Sequence, residues 1–142
     1  MLVVKALSLD MAKTMADAAE AKAQEMGLKI VVAIMDSHGN LKYYRRMDGN
    51  NFISVCMAPL KAHTSASIPL STKALAERSA GMPNNPYANV PGIVLLEGGL
   101  PIITKDGQHI GSIGISGASP ELDGICAKAA LDAIQDELLY PT

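Results

Sequence analysis

The chain has 142 residues, a net charge of −2, and 49% hydrophobic but only 4% aromatic residues, with no Trp. That length suits one domain, residues 1–142, whose aliphatic core removes roughly two-thirds of the unfolded surface from water. The balanced charge and scarce aromatics argue against a nucleic-acid partner, the closest basic cluster being Lys42, Arg45 and Arg46, and no apolar run approaches the roughly 18 residues of a membrane span.

The opening residues 1–7 lack a basic region followed by a long apolar stretch and a cleavage site, so the cytoplasm is the expected location. Residues 8–27 predict a helix. Ser8 is its cap, Asp10 lies in its first turn, and Ala12, Met15, Ala16, Ala19, Ala23 and Met26 keep the helical apolar spacing up to Gly27. The continuous apolar run 29–35 predicts a central strand. It is joined through Asp36-Ser37-His38-Gly39-Asn40 to a more polar strand at 41–47, which makes an antiparallel hairpin.

Residues 52–67 predict a second helix. Cys56, Leu60, His63 and Ser67 share one face, and Met57, Lys61, Thr64 and Ile68 the neighbouring one. On these mixed faces, partly solvated residues at the edge of the core are as good an account of Lys61 and His63 as a site. Ser71 caps a short helix through Arg78, and the segment 79–91, with Gly81, Pro83, Pro86 and Pro91, predicts a loop. Strands follow at 93–97, ended by Gly98-Gly99, at 101–104, and at 109–116 after an Asp106-Gly107 turn.

The last strand leads into the stretch 111–123. Ile113 and Ile115 alternate with Ser112, Gly114 and Ser116, and Ser119-Pro120 then opens a helix over about 119–138. The amides of that helix start, beside Ser116 and Gly117, form an expected anion site, although a plain strand-to-helix corner explains the same residues. Cys56 and Cys126 lie far apart in helical patterns and outside any CxxC, which predicts buried free thiols. The sum is an α+β domain: about five strands in an antiparallel sheet, packed by the N- and C-terminal helices.

No HExxH, Cys/His cluster, GxSxG, P-loop or dinucleotide fingerprint is present. Four groups of residues could touch a small-molecule ligand: Arg46, Met47 and Asp48; Lys61 and His63; Glu97, Gly98 and Gly99; and Ser116, Gly117, Glu121 and Asp123. Each also has a structural account. Asp48 forms a turn, Glu97 charges a strand end, and Glu121 and Asp123 complement a helix macrodipole.

Taken together, the segments resemble the GlcG/HbpS family, also found as the C-terminal domain of PduO-type cobalamin adenosyltransferases. The resemblance is carried over nearly the whole chain by Val32-Ala33-Ile34-Met35-Asp36 with the Gly39 turn, Arg46-Met47-Asp48-Gly49, Lys61-Ala62 with Thr64, Gly98-Gly99-Leu100-Pro101-Ile102, the glycine-punctuated strand 111–117, and Pro120-Glu121-Leu122-Asp123. It implies a profilin-like sheet-and-helix domain that forms homo-oligomers. Some relatives bind haem, and others sit beside genes for glycolate, propanediol or glycerol use. His63 stands where an aromatic is common, and the first helix has no histidine, so a haem ligand there does not carry over.

Three functions compete. The first is a non-catalytic haem or tetrapyrrole binder, with His63 as axial ligand ahead of Met47 and Met57, and Lys61 or Arg46 for the propionates. The second is an enzyme or binder for a small hydroxy acid, aldehyde or diol, with Glu97 or Asp123 as acid or base. In the third, the oligomer itself is the functional unit.

Overall fold

The computed structural model describes residues 1–138. The elements are α1 (Leu9–Glu25), β1 (Val31–Asp36), β2 (Leu41–Arg46), α2 (Phe52–Ser67), α3 (Thr72–Ala80), β3 (Gly99–Ile103), β4 (His109–Ser116) and α4 (Pro120–Asp132). Short 3-10 turns stand at Pro86–Asn89, inside the proline-rich segment expected to lack regular structure, and at Gln135–Glu137. The strands form one antiparallel sheet in the order β2-β1-β4-β3, so this α+β domain has four strands among the described residues rather than five.

The missing strand is the one expected at 93–97. Gly92 and Gly98 both take left-handed backbone angles, and the Val94 amide donates to Thr64 Oγ1 at 2.9 Å. The segment is therefore tied to α2 instead of to a neighbouring strand. Gly98-Gly99, expected to end a strand, instead leads into β3, which starts at Gly99.

The alternation along β4 becomes the layering of the molecule. Ile113 and Ile115 join Val32, Ile34 and Ile102 in a core closed by the alanines of α1 and by Cys126, Ala127 and Ala130 of α4. On the opposite face, Val31, Ala33 and Met35 meet Ala58 and Ala62 of α2. Central strand β1 is thus buried on both faces, which is why it reads as an unbroken apolar run. A Cβ at Gly114 would collide with the Ala58 carbonyl and the Ala62 amide, so α2 lies backbone-to-backbone on β4.

The second helix takes its expected span, and the last one departs from it. Pro59 stands inside α2 and cannot donate to the Val55 carbonyl; the Tyr44 hydroxyl of β2 donates to that oxygen at 3.4 Å instead. The final helix stops at Asp132 rather than 138. The Lys105 amide bonds the Glu137 carbonyl at 3.1 Å, and Leu138 bridges Thr104, so pairing with the end of β3 outcompetes further helix. Residues 133–138 of that expected stretch fall in this turn region; residues 139–142 are outside the described part.

Candidate functional site

The alanine-rich middle of α2 rests on β4, and that close approach carries Lys61 into the interior, where its side chain is 2% exposed. Of the two readings of Lys61, the partly solvated lysine at the core edge is therefore set aside. Its Nζ donates to Asp123 Oδ2 at 2.9 Å and to the Ile115 carbonyl at 3.0 Å. Gly98 makes room, since a Cβ there would stand 2.9 Å from Nζ and 2.6 Å from the Ile115 carbonyl.

Asp123 reaches the lysine because Ser119 caps α4 and Pro120 starts it, setting the fourth helical side chain back toward the sheet. Its second oxygen, Oδ1, accepts from the Ala118 amide at 2.9 Å. The Ala118 amide, just before the cap of the helix start expected to form an anion site, thus already meets the chain's own carboxylate. Burial pushes the Asp123 carboxyl above its ordinary range, against the opposing pull of Lys61 and the Ala118 amide; the charge of Glu97 adds to the rise.

Two cavities flank the pair. One, of about 280 Å³, is bordered by Lys61, Asp123, Ser116 and Gly117, with Ile53, Met57 and Leu96 as apolar wall. The other, of about 350 Å³, is bordered by Glu97, Gly98, Gly99, Leu100, Lys73 and Lys128. Glu97 folds over Gly124, where any side chain would strike its carboxylate. So Lys61, Glu97, Gly98, Gly99, Ser116, Gly117 and Asp123, drawn from three segments of the chain, come together around one buried ion pair.

The other expected residues lie elsewhere. Arg46, Met47 and Asp48 border a separate polar cavity of about 340 Å³ with Glu20, Gln24 and Lys29. There Met47 Sδ already accepts from the Ile30 amide at 3.4 Å. His63, two residues along α2 from Lys61, points away from it. A side chain added at Gly39 or Gly92 would meet the His63 ring at 3.6 and 3.4 Å, and its Nε2 lies 3.5 Å from Ser67 Oγ. Glu121 is exposed in the first turn of α4 and borders neither flanking cavity. Cys56 is exposed, which corrects the expectation of two buried thiols. Cys126 is buried, and burial pushes its thiol up to about 11.

Sequence reasoning missed the hydroxyls that hold the cavity walls. Thr72 Oγ1 accepts from the Gly99 amide at 3.0 Å, and Thr64 anchors Val94. The signal was faint: Thr64-Ser65 interrupting an otherwise alanine-rich helix, and Thr72 beside a cap. Among the described residues no group of three or more His, Cys, Asp or Glu is placed to hold a metal ion, and no helix is long and apolar enough to cross a membrane.

Residues 7–132 match the family model described as haem degrading protein HbpS-like. This chain belongs to the HbpS-like family. Among its relatives, an uncharacterized 15.0 kDa protein in the dhaT-dhaS intergenic region of Citrobacter freundii is 34% identical over 137 residues, covering 94% of this chain and 95% of that one. The corrinoid adenosyltransferase PduO of Salmonella typhimurium is 33% identical over 119 residues. The match takes in 82% of this chain but only 35% of PduO, so the chain spans about a third of that relative.

HbpS-like architecture recurs in solved structures. The Klebsiella pneumoniae protein ORFY superposes with a TM-score of 0.87 at 30% identity, over 95% of this chain and 94% of that one. A structure described as the PduOC:heme complex superposes with a TM-score of 0.83 at 31% identity, over 91% and 95%.

Proposed function

We propose that this HbpS-like chain is a non-catalytic haem or tetrapyrrole-binding protein. In this reading it works as a cytoplasmic homo-oligomer, accessory to glycerol, propanediol or glycolate use. The observation that carries the reading is the apolar rim of the 280 Å³ cavity. Ile53 is 63% and Leu96 44% exposed there, beside Met57, and Phe52 continues the surface at 84%. Large apolar side chains left open around a cavity suit a flat apolar ligand.

The donor set fits such a ligand in kind. Met57 borders the cavity and offers a thioether for axial ligation, while Lys73 beside the second cavity offers an ammonium group for a carboxylate arm. Lys61 is less suited to that role because Asp123 already balances it. Bound haem would supply the iron and its redox chemistry; the chain supplies the apolar wall, the thioether and the counter-charge. The PduOC:heme relative supports the same ligand class.

A hemin titration of the purified protein followed by absorbance tests this. The expected result is a saturable Soret shift at one equivalent per subunit, altered by Met57→Ala and unchanged by His63→Ala. The reverse pattern would return the axial role to His63. A featureless, non-saturating response would overturn haem binding.

A further inference from the structure

The Lys61–Asp123 pair has chemistry that haem binding leaves unused. The ammonium carries three hydrogens, and the structure supplies two acceptors, Asp123 Oδ2 and the Ile115 carbonyl. Lys61 is almost wholly covered by protein, yet it borders the 280 Å³ cavity together with Asp123. The Ser116 hydroxyl borders the same cavity and makes no side-chain hydrogen bond among the described residues. An amine, a carboxylate and a free hydroxyl therefore face one space that Ile53, Met57 and Leu96 wall on its apolar side, with Asn51 and Ser54 beside them.

The geometry points to Lys61 as an imine-forming lysine that captures a small, uncharged aliphatic aldehyde or ketone in this cavity, with Asp123 as the proton acceptor. The pair is neutral as a unit, so a carbonyl compound without charge enters more readily than an anion, which would stand beside Asp123. The apolar wall accommodates a short alkyl chain.

The step balances within the site. Lys61 passes one proton to Asp123, and the free Nζ pair attacks the carbonyl carbon while the oxygen takes up a proton to give the carbinolamine. Loss of that oxygen as water, carrying two protons in all, leaves a protonated imine on Nζ. Asp123 ends as the carboxylate counter-ion, as it began. Ser116 is placed to donate to the carbonyl oxygen. This goes beyond haem binding and stands or falls separately from it.

The test uses the full-length protein without haem, n-butanal and cyanoborohydride, which reduces an imine to a stable secondary amine. Peptide mapping by mass spectrometry then reads the labelling rate at every lysine. Lys61 is expected to label about tenfold faster than exposed Lys73 or Lys128, despite its burial. Lys61→Arg, which keeps the positive charge, abolishes that adduct while surface labelling continues. Leu96→Trp, which crowds the mouth of the cavity, slows it several-fold and leaves the lysine in place should the arginine variant fold poorly. Labelling of Lys61 at or below the surface rate in the wild-type protein overturns the proposal whatever the variants do. So does a Lys61 rate that Leu96→Trp leaves unchanged. Because no haem is present, failure here leaves the hemin titration untouched, and the converse holds.

Discussion

A single buried nitrogen makes the stability of this chain sensitive to mild acid. His109, at the start of β4, has its Nε2 buried without a hydrogen-bond partner among the described residues. Burial holds its imidazole below the ordinary range, with backbone groups of Gly111 and Ser65 pulling the other way. The unfolded chain takes up that proton near pH 6.5, the folded chain only at lower pH. Between those two values the unfolded state binds more protons, so stability rises with pH there. The stabilisation is complete above about pH 6.5 and is lost as pH falls through the folded value. Urea midpoints taken at about pH 7.5 and about pH 5.5, either side of the ordinary imidazole value, should drop for the wild type and drop less for His109→Gln. Equal drops in both would show that another group is responsible. At this scale the sequence was a partial guide. It named Lys61 on the second helix, Glu97 at a strand end and Asp123 at the start of the last helix as residues that could touch a ligand. It could not reveal that Lys61 and Asp123 meet, because 62 residues separate them and only the stacking of α2 on β4 joins them.

Pro59 makes the coupling between elements measurable. It leaves the Val55 carbonyl without its helical donor, and Tyr44 of β2 supplies one from outside the helix. Tyr44→Phe should therefore cost about 1 kcal/mol, the usual net worth of one such bond. In a Pro59→Ala background, where residue 59 regains its own N–H, most of that cost should vanish. Denaturant melts of the four proteins close the double-mutant cycle, and strictly additive costs would rule the coupling out. The elements themselves were largely legible. Ser8, Asn51, Ser71 and Ser119 cap α1 to α4 and each accepts from an amide three residues on, as such side chains do. The hairpin 31–46 and the turn at Gly107 were equally plain. What failed was the segment 93–97: its composition is that of a strand, but Thr64 and two left-handed glycines, none of them in the segment, decide its path.

Across the whole molecule, apolar surface is unevenly shared. The N-terminal end of α2 leaves Phe52 and Ile53 open, Cys56 lies exposed one turn further on, and Leu41 of edge strand β2 is 56% exposed. A chain that keeps such side chains in water has reason to cover them with another copy. Light scattering should accordingly give a multiple of the single-chain mass, reduced by Phe52→Glu; a monomer at all concentrations would dispose of the oligomer. The layering that places this surface was foreshadowed in β4, whose isoleucines and small residues alternate. The strand count was not, since it depends on what the 93–97 segment finds to bond.

The ion pair beneath α2 also bears on how such a chain can change over generations. Replacing Lys61 alone strands a buried carboxylate, and replacing Asp123 alone strands a buried ammonium and frees the Ala118 amide. Either intermediate is less fit to fold than its parent or its double replacement, so the two positions lie on opposite sides of a valley. In a randomised library selected only for folding, survivors should keep both residues or lose both, and a codon changed at one end of this pair should be a reliable marker of a change 62 residues away.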